Sequence, residues 1–600
     1  MTGGKKKVIS GATERLFARL KSGGTIETVM PQEEEKEEKK AKKSAIVTSA
    51  LPYANGEIHL GHIASTYLPA DIFTRYSRLN GREIYHICAS DDFGTPILIK
   101  AEKEKKTPPE YVEYWNRRDY EDFTSLGISF DLFYKTSSVE NVEFVQQVFQ
   151  KLLKNGHIYD QSVIQFYCTY DDKFLPDRYV IGKCPYCGAE NQYSDLCEKC
   201  GRVPDQILEP KCAICGRPPV KKESKHYFFR LSSFGQKLKD WLNSNEHLQS
   251  DVKNYVINWI NEGLQDWDIT RDLSWGVPIP LPDAKGKVFY GWFDNHLCYI
   301  STLKKLVEDK KKKEEDGDPD GQKFWNDSEI YHFIGKDIVY HHYLFLPAMR
   351  LGIDLEYKLP DYIPTRGHLM LQNQKISKSR NWYIGLKDFL ASFSPDYLRF
   401  YIASVITYSQ DDLNFDFDAF SEKINNELIA NVGNFINRAL SFTQKTFDGK
   451  VPEPSSNAGA GPGDVSLETA QAVAEAGELL SRNEIDRALK RILKYSNFMN
   501  QYFQASAPWA NKETTAPSTI YLSVNSARSM AIMLEPFIPF SAEKIWAQLN
   551  LGGSVHQQKW ESAAEQGAVR PGHQLGKIEP IFRKIEAKEI EQWKEKLGRK

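Results

Sequence analysis

The spacing of apolar positions changes several times along this 600-residue chain. Ile46 and Val47 open a short β-forming run, SAIVTSA. After LPYANGEIHLGH comes IASTYLPADIFTRYSRLNG, in which Ile63, Thr66/Tyr67, Ala70, Phe73 and Tyr76 recur at helical spacing and Asn80-Gly81 is a stop signal. Pro69 lies inside this pattern and predicts a kink. EIYHICAS, at 83–90, is the next strand. Strand, helix and strand between Ser44 and about Leu126 make a βαβ unit, and such units build a doubly wound parallel sheet. Strand and helix patterns return over 287–300 and 329–353. From about Phe420 onward the period is helical. NELIANVGNFINRALSFTQKTF predicts one amphipathic helix, and LETAQAVAEAGELLSRNEIDRALKRILKYSNFMNQYF one or two more, after a loop at 453–464. There is no internal repeat.

Composition refines this picture. At ~150 residues per domain the length predicts about four domains, and 41% hydrophobic and 12% aromatic residues suit a folded chain. No apolar run approaches the ~20 residues of a membrane span. No apolar stretch follows Lys5, Lys6 and Lys7, so a cytoplasmic location is expected. A net charge of −2 means that any RNA bound must meet local basic patches. Residues 31–43, PQEEEKEEKKAKK, predict a solvated tail, and 308–322 a charged surface insertion.

Residues 165–226 are rich in Cys, Gly and Pro. Cys184-Pro-Tyr-Cys187 and Cys197-Glu-Lys-Cys200 are two tight pairs whose four thiolates suit a tetrahedral Zn²⁺ site. Cys168-Thr-Tyr-Asp171 and Cys212-Ala-Ile-Cys215 flank them. Two readings of this outer set stay open: a second metal on Cys168, Asp171, Cys212 and Cys215, since carboxylates also bind zinc, or a half-site that has lost its metal. Either way the ligand positions are filled by protein, which makes the role structural. Cys88 and Cys298 remain as small buried residues.

The chemistry-bearing motifs are His59-Leu-Gly-His62, where a strand hands over to a helix, and Lys375-Ile-Ser-Lys378 in NQKISKSR. Alone, each is a weak signal. Together they suit attack of a carboxylate on the α-phosphate of ATP, in which charge builds on phosphate oxygens and on leaving pyrophosphate. That reaction needs positioning and preorganised donors. His59 and His62 would add donors to a helix N-terminus, Gly61 would leave room for adenine, and Lys375 and Lys378 would close over the pyrophosphate.

These motifs are similar to the HIGH and KMSKS signatures of class I aminoacyl-tRNA synthetases. With CASDDFGTPI, FLPDRYVIGKCPYCG, TRDLSWGVPIP, VFYGWFD and HFIGKDIVYHH in order, the chain from about Ser44 to Lys600 resembles the methionyl-tRNA synthetases, in their archaeal and eukaryotic forms. The resemblance implies an α/β fold: a split Rossmann-type nucleotide-binding domain with a zinc-knuckle insertion, then an all-α anticodon-binding bundle. The implied segments are a charged extension at 1–43, Rossmann halves at 44–140 and 287–365, an insertion at 141–286, a linking domain at 366–424 and a helical domain at 425–600. The implied activity makes methionyl-adenylate from methionine and ATP, with Mg²⁺, and transfers methionine to the 3′ end of tRNA(Met). His59, Gly61, His62, Gly335, Asp337, Lys375, Ser377 and Lys378 would hold ATP. Leu51, Tyr53, Trp292, Tyr299, Ile338 and His342 would hold the methionine side chain, with His342 or Tyr53 donating to its sulfur, and Asp91 would hold its ammonium. Trp509 would stack on an anticodon base and Asn437 read one. A monomer is expected, because no tRNA-binding barrel follows the helical part. Whether a separate tRNA-binding protein assists stays open.

The chain departs from the family pattern in several places. Asn295-His296-Leu297-Cys298 stands where Ala-Pro-Ile-Gly is usual, Asp171 stands where a cysteine is common, and Ser441 stands four residues after Asn437, where the family can carry an arginine. Ile376 is a volume-conserving change in the lysine loop. Other class I readings fit less well. A leucine, isoleucine or valine enzyme needs an editing domain, which this short insertion cannot hold, and a cysteine enzyme would keep an open zinc position. A non-catalytic tRNA-binding or scaffold protein would be expected to have lost the histidines or lysines.

Overall fold

The computed structural model describes residues 43–598 apart from 195, 196, 198, 201, 203, 205, 312–319, 379 and 456–463. The tail at 1–43, except its last residue, and most of the stretches at 308–322 and 453–464 lie outside the described residues. Five parallel strands form the central sheet: β1 (Ala45–Ser49), β2 (Ile84–Ser90), β3 (Leu132–Lys135), β4 (Glu329–Gly335) and β5 (Thr365–Arg366), in the order β5-β4-β1-β2-β3. Ala45 pairs with both Ile84 and Glu329, and β1 is buried at every position, as the middle of a parallel sheet requires. The chain leaves β1 for β2 and β3 on one side, then returns to β4 on the other. This reversal opens a crevice beyond the carboxyl ends of β1 and β4.

The helix after β1 runs from Leu60 to Leu79, with a π turn over Ile63–Tyr67. The irregularity therefore falls one turn before Pro69, not at it. The Leu68 N–H already reaches back five residues to Ile63, so the residue without an N–H follows a ladder that has been shifted. The helix after β4 repeats the device, with a π turn over His341–Phe345 and Pro347 just beyond it. Both π turns border the crevice.

Between β3 and β4 a long antiparallel hairpin, Ile158–Cys168 with Val220–Phe229, carries the cysteine-rich lobe. After β5, a small sheet of Leu369–Leu371, Gln374–Lys375 and Leu413–Phe415 displays the lysine loop. One helix then runs from Phe417 to Thr446 and passes through the expected domain boundary at 424/425. The LETAQ segment forms two helices, Val465–Ser481 and Ile485–Ser506, parted at Asn483, whose φ is +60°. Thr515–Leu534 and Pro539–Gln548 complete the bundle. A buried ion network fixes the bundle to the sheet domain. Asp71 accepts from Arg75 at 2.8 Å and Arg399 at 2.7 Å, and Arg75 also reaches Glu535 at 2.6 Å. Burial alone would raise Asp71, but the two guanidiniums outweigh it and hold the carboxyl well below the usual range. Among the described residues no helix is long and apolar enough to cross a membrane.

Candidate active site

His59 is the N-cap of the first helix, and its Nδ1 accepts the Gly61 N–H at 3.1 Å. The His62 Nδ1 accepts the His59 N–H at 3.2 Å. The two rings stack with centroids 3.7 Å apart. Burial, reinforced by the Lys378 charge, pushes His59 down to about 3, and burial, then His59, holds His62 well below its usual value. Both imidazoles are therefore neutral at physiological pH. Since each Nδ1 is occupied as an acceptor, each ring carries its proton on Nε2. The pattern HLGH thus makes a reciprocal capping box from two histidines and leaves each with one free-standing N–H donor.

The lysine loop lies against this turn. Leu60 donates to the Ile384 carbonyl and Leu386 to the Ile58 carbonyl, pairing the strand segments around His59 and Gly385. The Lys378 ammonium donates to the Glu57 carbonyl at 2.9 Å, across 321 positions of sequence. Burial, with Lys100 second, holds Lys378 below the usual lysine range. Gly61 borders the cavity, and a Cβ there would stand 2.9 Å from Ile376 Cδ1 and 3.0 Å from the His59 ring. The space over Gly61 is taken by the lysine loop itself. Lys375 and Lys378 reach the cavity wall, whereas Ser377 is bonded through its backbone to Trp382 and is absent from the wall.

A cavity of about 880 Å³ runs from these groups into the crevice, within the size range of small-molecule sites. Gly335 and Asp337 border it at the end of β4. A Cβ at Gly335 would lie 2.6 Å from Asp337 Oδ1, so a side chain here would displace that carboxylate. Asp337 in turn faces His368 Nε2 at 3.2 Å.

Leu51, Tyr53, Asp91, Trp292, Tyr299, Ile338 and His342 all line the inner end of the same cavity. Asp91 is anchored by its backbone between Pro52 and Ala54, at 2.8 and 2.9 Å. Burial pushes its carboxyl up to about 7, although the Asn295 amide donates to it at 3.3 Å, and Oδ1 has no partner among the described residues. Gly94, at φ +111°, passes beneath Tyr53: a Cβ there would lie 2.1 Å from the phenol oxygen. The neighbouring polar groups pair with one another. Tyr53 donates to the Phe93 carbonyl at 2.6 Å, His342 Nδ1–H donates to the Ile338 carbonyl at 3.1 Å, and Tyr299 donates to His342 Nε2 at 3.0 Å. Neither Tyr53 nor His342 thus presents the donor that the sequence suggested for a sulfur.

In the insertion, both sets of four ligands converge, every donor atom lying within 4.8 Å of the others in its set. A tetrahedron with metal–sulfur bonds of ~2.3 Å has edges of about 3.8 Å. Cys184 and Cys200 are 3.8 Å apart, Cys187 and Cys197 3.6 Å, and Cys168 and Cys215 3.5 Å. Asp171 Oδ2 approaches Cys168 at 3.0 Å and Cys212 at 3.1 Å. The carboxylate occupies the fourth corner, so both sets fit a metal. Cys88 and Cys298 are buried apart from these sets.

At the helical end, Trp509 is 46% exposed and stands beyond Ala507, which is in the left-handed conformation. The Arg438 guanidinium sits 5.8 Å from its ring centroid and 4.7 Å from that of Phe503. A polar groove beside it is lined by Asn431, Asn434, Arg438, Asn500, Gln501 and Gln504 among others. Asn437 is not on this wall: it is exposed and its amide oxygen accepts from Ser441. Asn434 and Arg438, four residues apart, share the groove face. Sequence reading did not single out Asn434, which the fold places on the groove wall one turn before Arg438.

A parallel sheet whose switch-point crevice brings HLGH and KISKS to one mouth defines a class I aminoacyl-tRNA synthetase. Residues 45–440 match the model for tRNA synthetases class I (M), and residues 451–600 the anticodon binding domain of methionyl tRNA ligase. The chain belongs to the methionyl family of class I tRNA synthetases. It is 43% identical over 566 residues to the methionine–tRNA ligase of Thermococcus kodakarensis, covering 91% of this chain and 74% of that protein. With the methionine–tRNA ligase of Methanopyrus kandleri the identity is 41% over 559 residues, covering 92% and 81%. The fold matches that of Mycobacterium tuberculosis methionyl-tRNA synthetase, solved with methionyl-adenylate bound, at a TM-score of 0.72 and 22% identity over 90% of this chain and all of that one.

Proposed function

We propose that this chain activates methionine with ATP and charges tRNA with it, and that the residues brought together in the crevice divide the work as follows. One observation carries the reading: two imidazoles with their Nδ1 atoms tied to backbone, and a lysine loop laid across them, share one cavity with a buried carboxyl at its far end. Asp91 receives the ammonium of methionine, and Asn295 orients that carboxylate. The substrate carboxylate oxygen attacks the α-phosphorus and pyrophosphate leaves. Nε2–H of His59 and His62, with Lys375 and Lys378, stabilises the charge that grows on the phosphate oxygens. Gly335 and Asp337 border the nucleoside. A hydroxyl of the terminal ribose of tRNA then attacks the acyl carbon and AMP leaves. Mg²⁺ accompanies ATP. A cytoplasmic location fits this substrate set.

The anticodon is read at the helical end, where Trp509 offers a stacking face and Arg438, Asn434 and Asn437 offer hydrogen bonds to base edges. The two ligand sets of the insertion hold structural zinc, chosen by the thiolate donors and tetrahedral spacing. Asp171→Ala should lower the metal content from two ions per chain to one, measured by elemental analysis, while Cys197→Ser removes the other. Two retained ions in Asp171→Ala would exclude this ligand from the second site.

The activity is tested by amino-acid-dependent exchange of labelled pyrophosphate into ATP, run with all twenty amino acids. Exchange with methionine alone is expected. Exchange with another amino acid would keep the enzyme class and overturn the substrate, and none at all from folded, metal-loaded protein would favour a tRNA-binding role without catalysis.

A further inference from the structure

His296 is a buried polar group of the amino-acid cavity that the mechanism above leaves unused. It lies on helix Gly291–Lys311, four residues after Trp292 and three before Tyr299, and borders the cavity beside both. The residue is 1% exposed. Its surroundings are rings: His342 at 4.9 Å, Trp292 at 5.5 Å, His341 at 5.8 Å and Phe345 at 6.1 Å. Neither ring nitrogen has a hydrogen-bond partner among the described residues.

Burial, with His342 and His341 adding to it, holds His296 well below its usual value. The ring is therefore neutral and carries one N–H and one lone pair. A buried N–H without a partner is costly, and folded proteins seldom keep one. A wall needed only for its shape would be built from an apolar residue. The nearby donors cannot replace it, because Tyr53, Tyr299 and His342 already give their protons to Phe93, His342 and Ile338. Among the described residues, His296 is the cavity-lining ring at this end that is buried with both nitrogens unpartnered.

We propose that His296 is a specificity-determining residue whose ring N–H donates to the thioether sulfur of bound methionine, so that the site rejects a side chain of the same shape that lacks an acceptor. This rests on the methionine reading given above. Sulfur is a weak acceptor, so the discrimination is that of one modest hydrogen bond added to shape.

The test compares methionine with norleucine, which carries a methylene in place of the sulfur. kcat/KM in pyrophosphate exchange is measured for both with the wild type, His296→Phe and His296→Gln. His296→Phe keeps a planar ring and removes the donor. It is expected to narrow the methionine-to-norleucine ratio about fivefold, the size of one net neutral hydrogen bond. His296→Gln restores an N–H and should hold the ratio within about twofold of wild type. An unchanged ratio in His296→Phe, with both amino acids losing equally, would reduce His296 to a wall and overturn the proposal. Should His296→Phe not fold, ring-nitrogen NMR shifts of the wild type decide: a change with saturating methionine but not with norleucine supports the bond, and equal responses reject it. A wild type that exchanges with neither amino acid would instead bring down the methionine reading, a failure distinct from an unchanged ratio.

Discussion

The two ends of the cavity solve different recognition problems. At the mouth, the donors are two neutral imidazoles whose orientation comes from backbone N–H groups, and lysines on a loop that belongs to a separate small sheet. At the inner end the polar groups are buried and mostly bonded to each other. In the proposed reaction, the charge that develops is met by donors from a helix cap and from a loop. In the proposed reading, a fixed side chain is met by walls that are already built. The difference teaches where tolerance should lie: the mouth should depend on charge and be indifferent to the amino acid, and the inner end the reverse.

Lys378→Ala tests the mouth and carries the largest expected effect. Loss of one transition-state donor should lower adenylate formation at least ~100-fold, and equally for every amino acid the wild type accepts. Burst kinetics like those of the wild type would remove Lys378 from the phosphate site. Gly94→Ala tests the inner end. The added Cβ meets Tyr53 at 2.1 Å and forces a non-glycine residue to φ +111°. Strain of ~1–3 kcal/mol predicts a rise in KM for methionine of roughly 10- to 100-fold, with KM for ATP within about twofold. If the ATP constant rose by as much, the two ends would not be separable.

The smallest effect is in pH. Asp91 is pushed up to about 7 by burial, with the Asn295 amide pulling it back and Asp92 adding to the rise. Below that value the carboxyl takes a proton and loses the charge that faces the ammonium. kcat/KM for methionine, which reports the free enzyme, should therefore fall about tenfold per unit as pH drops below about 7 and level off above it. Asn295→Ala removes a bond that favours the ionised form, so its midpoint should move upward. A profile flat from pH 6 to 8 would take Asp91 out of substrate binding.

Much of this was legible in the sequence because it is local. Each CxxC pair closes within four residues, and its spacing alone predicted convergence. Helical periodicity marked the bundle, and the strand–helix pattern before EIYHICAS marked the parallel sheet. Other features were hidden because their partners lie far apart and share no period. The Asn434 face of its helix could not be told from the Asn437 face until the neighbouring helix, Ile485–Ser506, supplied Asn500 and Gln504. The Arg75–Glu535 contact joins the first helix of the sheet domain to the bundle and leaves no mark in either segment.

The amino-acid sequence by itself thus determined the family, the HLGH and KISKS motifs and the convergent sets of the knuckles, since these are short patterns of chemically distinctive residues. Only the tertiary structure decided which nitrogen of His59 and His62 holds the proton, that Ile376 lies over Gly61, and that His296 stands in the pocket with its nitrogens unpartnered among the described residues. The physical reason is common to all three: a hydrogen bond, or the lack of one, depends on what burial brings within about 3 Å of an atom, and chain spacing does not carry that distance.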